Sequence, residues 1–449
     1  MATGAGVSSQ PGLKRALGLR HLVVMGVILI QPTAPMAPFG AISAIGNGHA
    51  VTTVLIALCA MLLTALSYGR MARIYPNAGS AYTYVGKEIH PVAGYAAGWS
   101  MLLDYLVNPL ICTIWCARAI ENLIPGVPYA ASALFFALLF TMLNLRGIQA
   151  TARVNQVLAS AMGLVIVWML AAAARYVLQT PELGTARFFT PFYDPDRFSL
   201  ASLSAGTSVA VLTYIGFDGI STLSEEVRNP RVNIPRATIL VCLIIGLLSA
   251  IQVYAAQVVW PLGQPFPDQD TAYLHVARLA GGDALFQVLG ITLIVATIGS
   301  GSGAQLAGAR LLYGMGRDNA LPKPFFGYVD PARQIPSRNV LLIGGLCLAG
   351  AFTMSYQLGA ELLNFGALLG FMGVNLSVIL RYWVRREDRR LRYLVPPALG
   401  FAICFYLWLS LSNAARIAGI VWLAVGLAYG AWKTSGFRRS MVRFEAPSE

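Results

Sequence analysis

The stretch Gln31-Pro32-Thr33-Ala34-Pro35-Met36-Ala37-Pro38 interrupts an apolar run from Leu22 to Ile45. Its three prolines remove backbone donors, so a helix entering at Leu22 has to open there. A run of that length predicts a membrane crossing, because about 20 residues cover roughly 30 Å of hydrocarbon. Opened backbone at such a depth is tolerated only where protein or a wet cavity meets its amides and carbonyls.

On either side of this stretch the chain repeats the same apolar theme. About twelve stretches are long enough to cross, some of them at the short end of the range. After Leu22 to Ile45 come Val51 to Met71, Val92 to Asn122, Tyr129 to Leu145, Val154 to Leu178 and Leu200 to Val227. Thr238 to Trp260, Ala284 to Tyr313, Val340 to Ser355, Ala360 to Val384, Tyr393 to Leu411 and Ile417 to Trp432 complete the set. The fold class expected is all-α: a polytopic membrane protein of about 12 transmembrane helices.

Composition agrees. Of 449 residues, 57% are hydrophobic and only 11% charged, against about a quarter charged in soluble domains. A net charge of +13 would suggest nucleic acid in a soluble protein, but here the cations sit in short segments between apolar stretches, and no nucleic-acid partner is expected. The six cysteines all fall in apolar stretches and read as small core residues. Cys112 and Cys116 share a helix face without His or carboxylate neighbours, so no metal site is expected.

All but six of the 32 Lys and Arg residues (Arg118, Arg175, Arg187, Arg197, Arg278, Arg416) fall on one side of this layout. Because the Lys- and Arg-rich side stays inside, both termini are expected in the cytoplasm of a cell whose inner membrane holds the chain. The polar first twenty residues read as an uncleaved tail, since the prolines stand where a signal peptide would need its apolar core. The Arg-dense segment from Arg381 to Arg392 reads as an inside loop, with binding of anionic lipid as the alternative.

A second break, Gly216-Phe217-Asp218-Gly219, interrupts the sixth stretch. If spans one to five form one unit and six to ten another, the breaks fall in the first span of each. Five is odd, so the second unit is inverted, the pattern of transporters whose discontinuous helices line a midplane site. This divides a single transmembrane domain into repeat one at about 20–180, repeat two at about 199–384 and two extra helices at about 393–433. At about 1.5 Å per residue, Pro32 to Ala34 lie about 18 to 21 Å from the cytoplasmic side, Asp218 roughly 15 Å and Asp104 about 18 Å.

An intramembrane carboxylate costs about 2.5 to 3.5 kcal/mol on insertion scales, so Asp104 and Asp218 require partners or a wet cavity. A cationic amine would satisfy them. Asp218 also reads as a helix N-cap, and Asp104 as a hydrogen-bonding group between helices. If both face one pocket, repulsion and desolvation favour proton uptake by one of them, which would couple transport to protons. Phe217 reads either as a lid over the amine or as packing. Glu225 and Glu226 read as gate or loop ion pairs near Arg228, Arg231 and Arg236. No zinc-protease, phosphate-loop or hydrolase-elbow motif occurs, so no catalytic residue, enzyme activity or cofactor is expected.

Around these residues the chain resembles the amino acid, polyamine and organocation (APC) transporter superfamily. The similar segments are Tyr75-Pro76-Asn77-Ala78-Gly79-Ser80-Ala81-Tyr82-Thr83-Tyr84, Gly216-Phe217-Asp218-Gly219 with Ser224-Glu225-Glu226, Ile234-Pro235-Arg236, Tyr313-Gly314-Met315-Gly316-Arg317-Asp318, and Asn364-Phe365-Gly366-Ala367-Leu368 with Asn375-Leu376-Ser377. Leu66-Ser67-Tyr68-Gly69, Gly98-Trp99-Ser100, Leu103-Asp104-Tyr105 and Phe326-Gly327-Tyr328-Val329 look closest to bacterial putrescine importers.

The resemblance implies the LeuT-like five-plus-five inverted repeat, a substrate between the first and sixth spans, and proton-linked uptake. Carried over by position, Gln31, Thr33, Ala34, Ala37, Gly216, Phe217, Asp218 and Gly219 would line the site, with Asp104 on the neighbouring third span. Two departures stand out: Ala37 replaces the acidic residue that putrescine importers carry in the first break, and the fifth-span lysine of some amino acid members is absent from Val154 to Leu178. The function expected is secondary active import of a small amine-bearing metabolite, a polyamine such as putrescine or an amino acid. The alternatives are an amino acid exchanger and a membrane sensor that binds the same ligand without moving it.

Overall fold

The computed structural model describes residues 17–76, 80–147, 152–221, 227–261, 263–317, 321–385 and 388–437. These form helices α1 (Leu19–Ile30), α2 (Phe39–Ile45), α3 (Ala50–Ile74), α4 (Ser80–Glu88), α5 (Pro91–Leu123), α6 (Tyr129–Leu145), α7 (Ala152–Gln179) and α8 (Leu200–Ala210). They continue with α9 (Pro230–Val259), α10 (Ala272–Arg317), α11 (Lys323–Phe326), α12 (Ser337–Thr353), α13 (Tyr356–Val378), α14 (Val395–Leu409) and α15 (Asn413–Lys433).

Local chemistry explains most of the boundaries. Pro91 and Pro230 occupy first-turn positions, where a missing N–H costs nothing. Ser199, Ser355 and Ser412 cap α8, α13 and α15 by accepting from the amides of Ser202, Leu358 and Ala415 at 3.1 to 3.4 Å. α10 would be about 69 Å long as one rod at 1.5 Å per residue. Gly282, with φ 72°, divides it into a short first piece and the long membrane piece. The eighth apolar stretch therefore begins after that glycine, while α4 and the first piece of α10 are helices outside the expected spans.

Among the described residues, nine helical segments are long and apolar enough to cross a membrane. Three shorter apolar helices, Leu19–Ile30, Tyr129–Leu145 and Ser337–Thr353, coincide with the first, fourth and ninth expected stretches. The first is short because the proline break divides it.

Apolar exteriors and tight small-residue contacts hold the bundle as expected in lipid, where packing rather than the hydrophobic effect joins helices. α3 lies along α9, and α5 lies against both α13 and α10. A Cβ on Gly246 of α9 would stand 2.3 Å from Leu58 Cδ1, and one on Gly366 of α13 would stand 2.3 Å from the Ser100 carbonyl oxygen. Only glycine permits the approach to the Ser100 backbone, and a side chain at Gly246 would have to displace Leu58. The most apolar window of α13 is 78% buried, whereas those of α14 and α15 are 22% buried, which makes α13 interior and the last two helices peripheral. Leu164 and Val167 on α7 and Ile417, Val421 and Val425 on α15 point outward. One cysteine departs from the core expectation: Cys59 is exposed, on a face of α3 turned away from the bundle, while the other five are buried.

Candidate substrate site

The first break keeps its open shape through partners outside it. α1 ends at Ile30 and the next residue, Gln31, takes φ 77°, a left-handed conformation that a non-glycine residue adopts only under constraint. Its side-chain amide donates to the Ala296 carbonyl of α10 at 3.0 Å. Gln252 of α9, fully buried, donates to the Pro32 carbonyl at 3.0 Å. Two turn-type bonds, Ala34 N–H to Gln31 O and Met36 N–H to Thr33 O, carry the chain to Pro38 and α2. Thr33 is buried, while Gln31, Ala34 and Ala37 are half-buried.

The second break is built differently. α8 passes into a 3-10 turn over Val211–Tyr214, and Gly216 then adopts φ 113°. Asn364 of α13 donates to the Ser208 carbonyl at 2.8 Å, and Tyr214 donates from its hydroxyl to the Val54 carbonyl at 2.7 Å, which anchors the helix just before it opens. Turn bonds close the opened backbone here, Phe217 N–H to the Tyr214 carbonyl at 3.3 Å and Gly219 N–H to the Gly216 carbonyl at 3.1 Å. Ser221 donates to the Asp218 carbonyl at 2.6 Å. Asp218 opens a 3-10 turn that runs to Ser221, and the positions an N-cap there would serve, from 222 to 226, lie outside the described residues.

The second break meets the residues that lead into the first. A Cβ on Gly219 would meet Leu29 Cδ2 at 2.8 Å, and one on Gly216 would meet Ile30 Cγ1 at 3.3 Å, so the second break lies against the end of α1. Asp104, on α5, lies within electrostatic reach of Asp218, and Tyr105 feels both carboxylates. Asp104 and Asp218 both keep partial exposure, as do Tyr105 and Gly219 beside them. The structure thus brings together the two breaks and Asp104. Phe217 stands slightly apart: its ring is fully buried, 5.5 Å from Tyr68 and 5.2 Å from Phe371, in a cluster that continues to Tyr84. Glu225 and Glu226, with the motif positions 77–79, 224 and 318, lie outside the described residues.

Sequence reasoning missed Gln252, Asn364 and Tyr105. The first two are buried amides inside apolar helices, and that oddity was the available signal: an intramembrane amide needs a polar partner. Nothing in their own helices identifies the partner as the opened backbone of spans one and six.

Among known proteins, the amino acid permease family profile matches residues 23–442. The chain is 35% identical over 444 residues to the low-affinity putrescine importer of Escherichia coli strain K12, covering 98% of each chain. It is 27% identical to the branched-chain amino acid permease of Lactococcus lactis, over 92% of this chain and 93% of that one. The methylthioribose transporter of Bacillus subtilis is 24% identical, over 93% of each. Two opened spans with carboxylates beside them, apolar helices throughout and this nearly full-length likeness lead to one conclusion: the chain is a multi-pass membrane protein of the amino acid permease family, a family of transporters and not of enzymes.

Proposed function

We propose that this permease imports a small amine-bearing metabolite, of the polyamine or amino acid class, by alternating access at the junction of its two broken spans. The observation that carries the reading is the contact of the second break with the end of α1, beside the partly exposed carboxylates of Asp104 and Asp218. Opened backbone offers carbonyls to an ammonium group and amides to a carboxylate. The two acids supply the counter-charge for an amine, and their proximity makes a shared proton the natural coupling ion.

The neighbour pattern supports the five-plus-five inverted repeat. Numbering the spans in order, with α3 as second, α5 third, α6 fourth, α7 fifth, α9 seventh, α10 eighth, α12 ninth and α13 tenth, each of spans two, three and four packs on its counterpart five later. The contact of three with ten corresponds to that of eight with five, one with seven to six with two, and three with four to eight with nine. An exchange of the two halves therefore maps this set of contacts onto itself. The Lys and Arg bias supports cytoplasmic termini in the inner membrane.

Within the amine class, a dication in a low-dielectric site needs about two counter-charges. Ala37 leaves the first break without a carboxylate of its own, which favours a singly charged or zwitterionic amine over putrescine. Counterflow of labelled putrescine, cationic amino acids and branched-chain amino acids in proteoliposomes tests the reading. Saturable exchange of at least one amine is expected. Binding without counterflow of any of them would assign a sensor instead.

A further inference from the structure

The arginine-rich end of the bundle holds one guanidinium that the substrate site does not use. Arg70 lies in the last two turns of α3, and its buried Nη1 has no hydrogen-bond acceptor among the described residues. A buried guanidinium donor without an acceptor is costly, and such a group calls for an anion.

The neighbours of Arg70 are aromatic and cationic. Its Cζ lies 5.0 Å from the centre of the Tyr393 ring, and Arg392 Cζ lies 4.8 Å from the same ring. Tyr393 in turn stacks on Tyr382 at 4.2 Å and 10°. Arg73 follows three residues later on α3, and Arg392 faces the same Tyr393 ring, so both place like charge around Arg70. The one described carboxylate in the adjoining loop, Asp388, reaches Arg390 at 3.3 Å and Arg392 at 3.7 Å and forms no pair with Arg70.

Two other arginines at this end differ in kind. Arg381 and Arg385 hold the fully buried Glu88 carboxylate at 2.6 and 2.8 Å, with the Tyr75 hydroxyl donating to it at 2.7 Å. Glu88 satisfies that pair of cations internally, whereas among the described residues the positive charge around Tyr393 exceeds the single carboxylate beside it.

Depth identifies the missing anion. Arg70 is near the end of the membrane segment Ala50–Ile74, and Tyr393 near the start of Leu391–Leu409, so both stand at the level of lipid headgroups. A planar guanidinium fork matches phosphate oxygens, and tyrosine favours the interface. We infer that Arg70 and Arg392, set around the Tyr382–Tyr393 stack with Arg73 as an outer cation, form a binding site for the phosphate of an anionic lipid headgroup.

Native mass spectrometry of the purified full-length protein, titrated with phosphatidylglycerol or phosphatidylcholine, tests the site. The wild-type chain should retain phosphatidylglycerol in preference. Arg392→Gln, at a side chain 56% exposed and therefore a small risk to folding, should lower that retention about fivefold. Arg70→Lys keeps the charge but loses the fork, and should lower it nearly as far as Arg70→Gln. Arg389→Gln, whose guanidinium lies 6.0 Å from the Trp383 ring and off the site, should leave it unchanged. Wild-type retention in both Arg70→Gln and Arg392→Gln would overturn the site. So would an Arg389→Gln loss equal to that of Arg392→Gln, which would mean diffuse surface charge. Displacement of the lipid by inorganic phosphate at equal concentration would reassign the site to a free anion and overturn the lipid assignment.

Discussion

The two broken spans reach the same result by opposite chemistry. In the first, Pro32, Pro35 and Pro38 remove donors from the segment itself, and glutamines from inside and outside it occupy carbonyls of the opened backbone and its neighbour. In the second, no proline occurs. A single glycine at φ 113° turns the chain, and turn bonds from the amides of Phe217, Gly219 and Ile220 close the backbone around Asp218. The first break is thus a charge-free frame held by amide side chains, whereas the second carries an acid that a cation could pair with. On the proposed function, binding energy would come mainly from the second break and shape mainly from the first.

The largest effect should come from removing the charge while keeping the shape. Asp218→Asn is nearly isosteric and keeps an acceptor oxygen but cannot pair with a cation. Breaking a buried charge pair costs about 3 to 5 kcal/mol, so uptake of cationic amines should fall about a hundredfold or more at matched protein level. Equal losses of uptake and of folded protein, measured by fluorescence-detected gel filtration, would make Asp218 a cap and erase the contrast between the breaks.

Backbone geometry gives the next test. Gly216→Ala forces a side chain into a strained conformation and toward Ile30 Cγ1 at 3.3 Å. It should cost about 1 to 3 kcal/mol of stability, read as a lower unfolding temperature. Gln252→Leu should cost about 1 to 3 kcal/mol through the unpaired Pro32 carbonyl, whereas Pro35→Ala should cost less than either, because two prolines and both glutamines still hold the break open. A Pro35→Ala effect equal to that of Gly216→Ala would contradict the proposed division of labour.

Giving the first break a charge would sharpen the comparison. Ala37→Asp should raise the ratio of putrescine to monoamine uptake by about fivefold or more, because a carboxylate near a second amine acts where screening is weak. An unchanged ratio in a folded variant would remove Ala37 from the site.

The smallest effect concerns the loop over the outer half of the first break. A Cβ on Gly40 would stand 2.0 Å from the Gln269 carbonyl oxygen, so this loop presses directly on α2. Beside it, burial and then the Asp268 carboxylate push Asp270 up to about 6, against the pull of Arg118. Its folded value lies above its unfolded one, so the folded state holds the extra proton and stability is lost as pH rises from about 4 through 6. Asp270→Asn should flatten that part of the thermal-stability profile. An unchanged slope would trace it to another group.

Much of this was legible before folding. The apolar stretches follow from hydrocarbon thickness, and the breaks from proline and glycine at fixed positions, because these effects are local. The rare intramembrane acids Asp104 and Asp218 mark themselves by their cost. Less visible was how each break is held. Gln252 is 220 residues from Pro32, and Asn364 is 156 residues from Ser208. No periodicity links such pairs.

Sequence by itself therefore determined that this chain crosses the membrane many times, that two crossings open midway, and that acids lie at similar depth. Only the tertiary structure decided that Gly219 lies against Leu29, that Asp104 comes near Asp218, and that Phe217 is enclosed by Tyr68 and Phe371. The physical reason is range: donors, turns and apolar length act over a few residues. Contact between helices depends on which distant small side chains let two backbones approach.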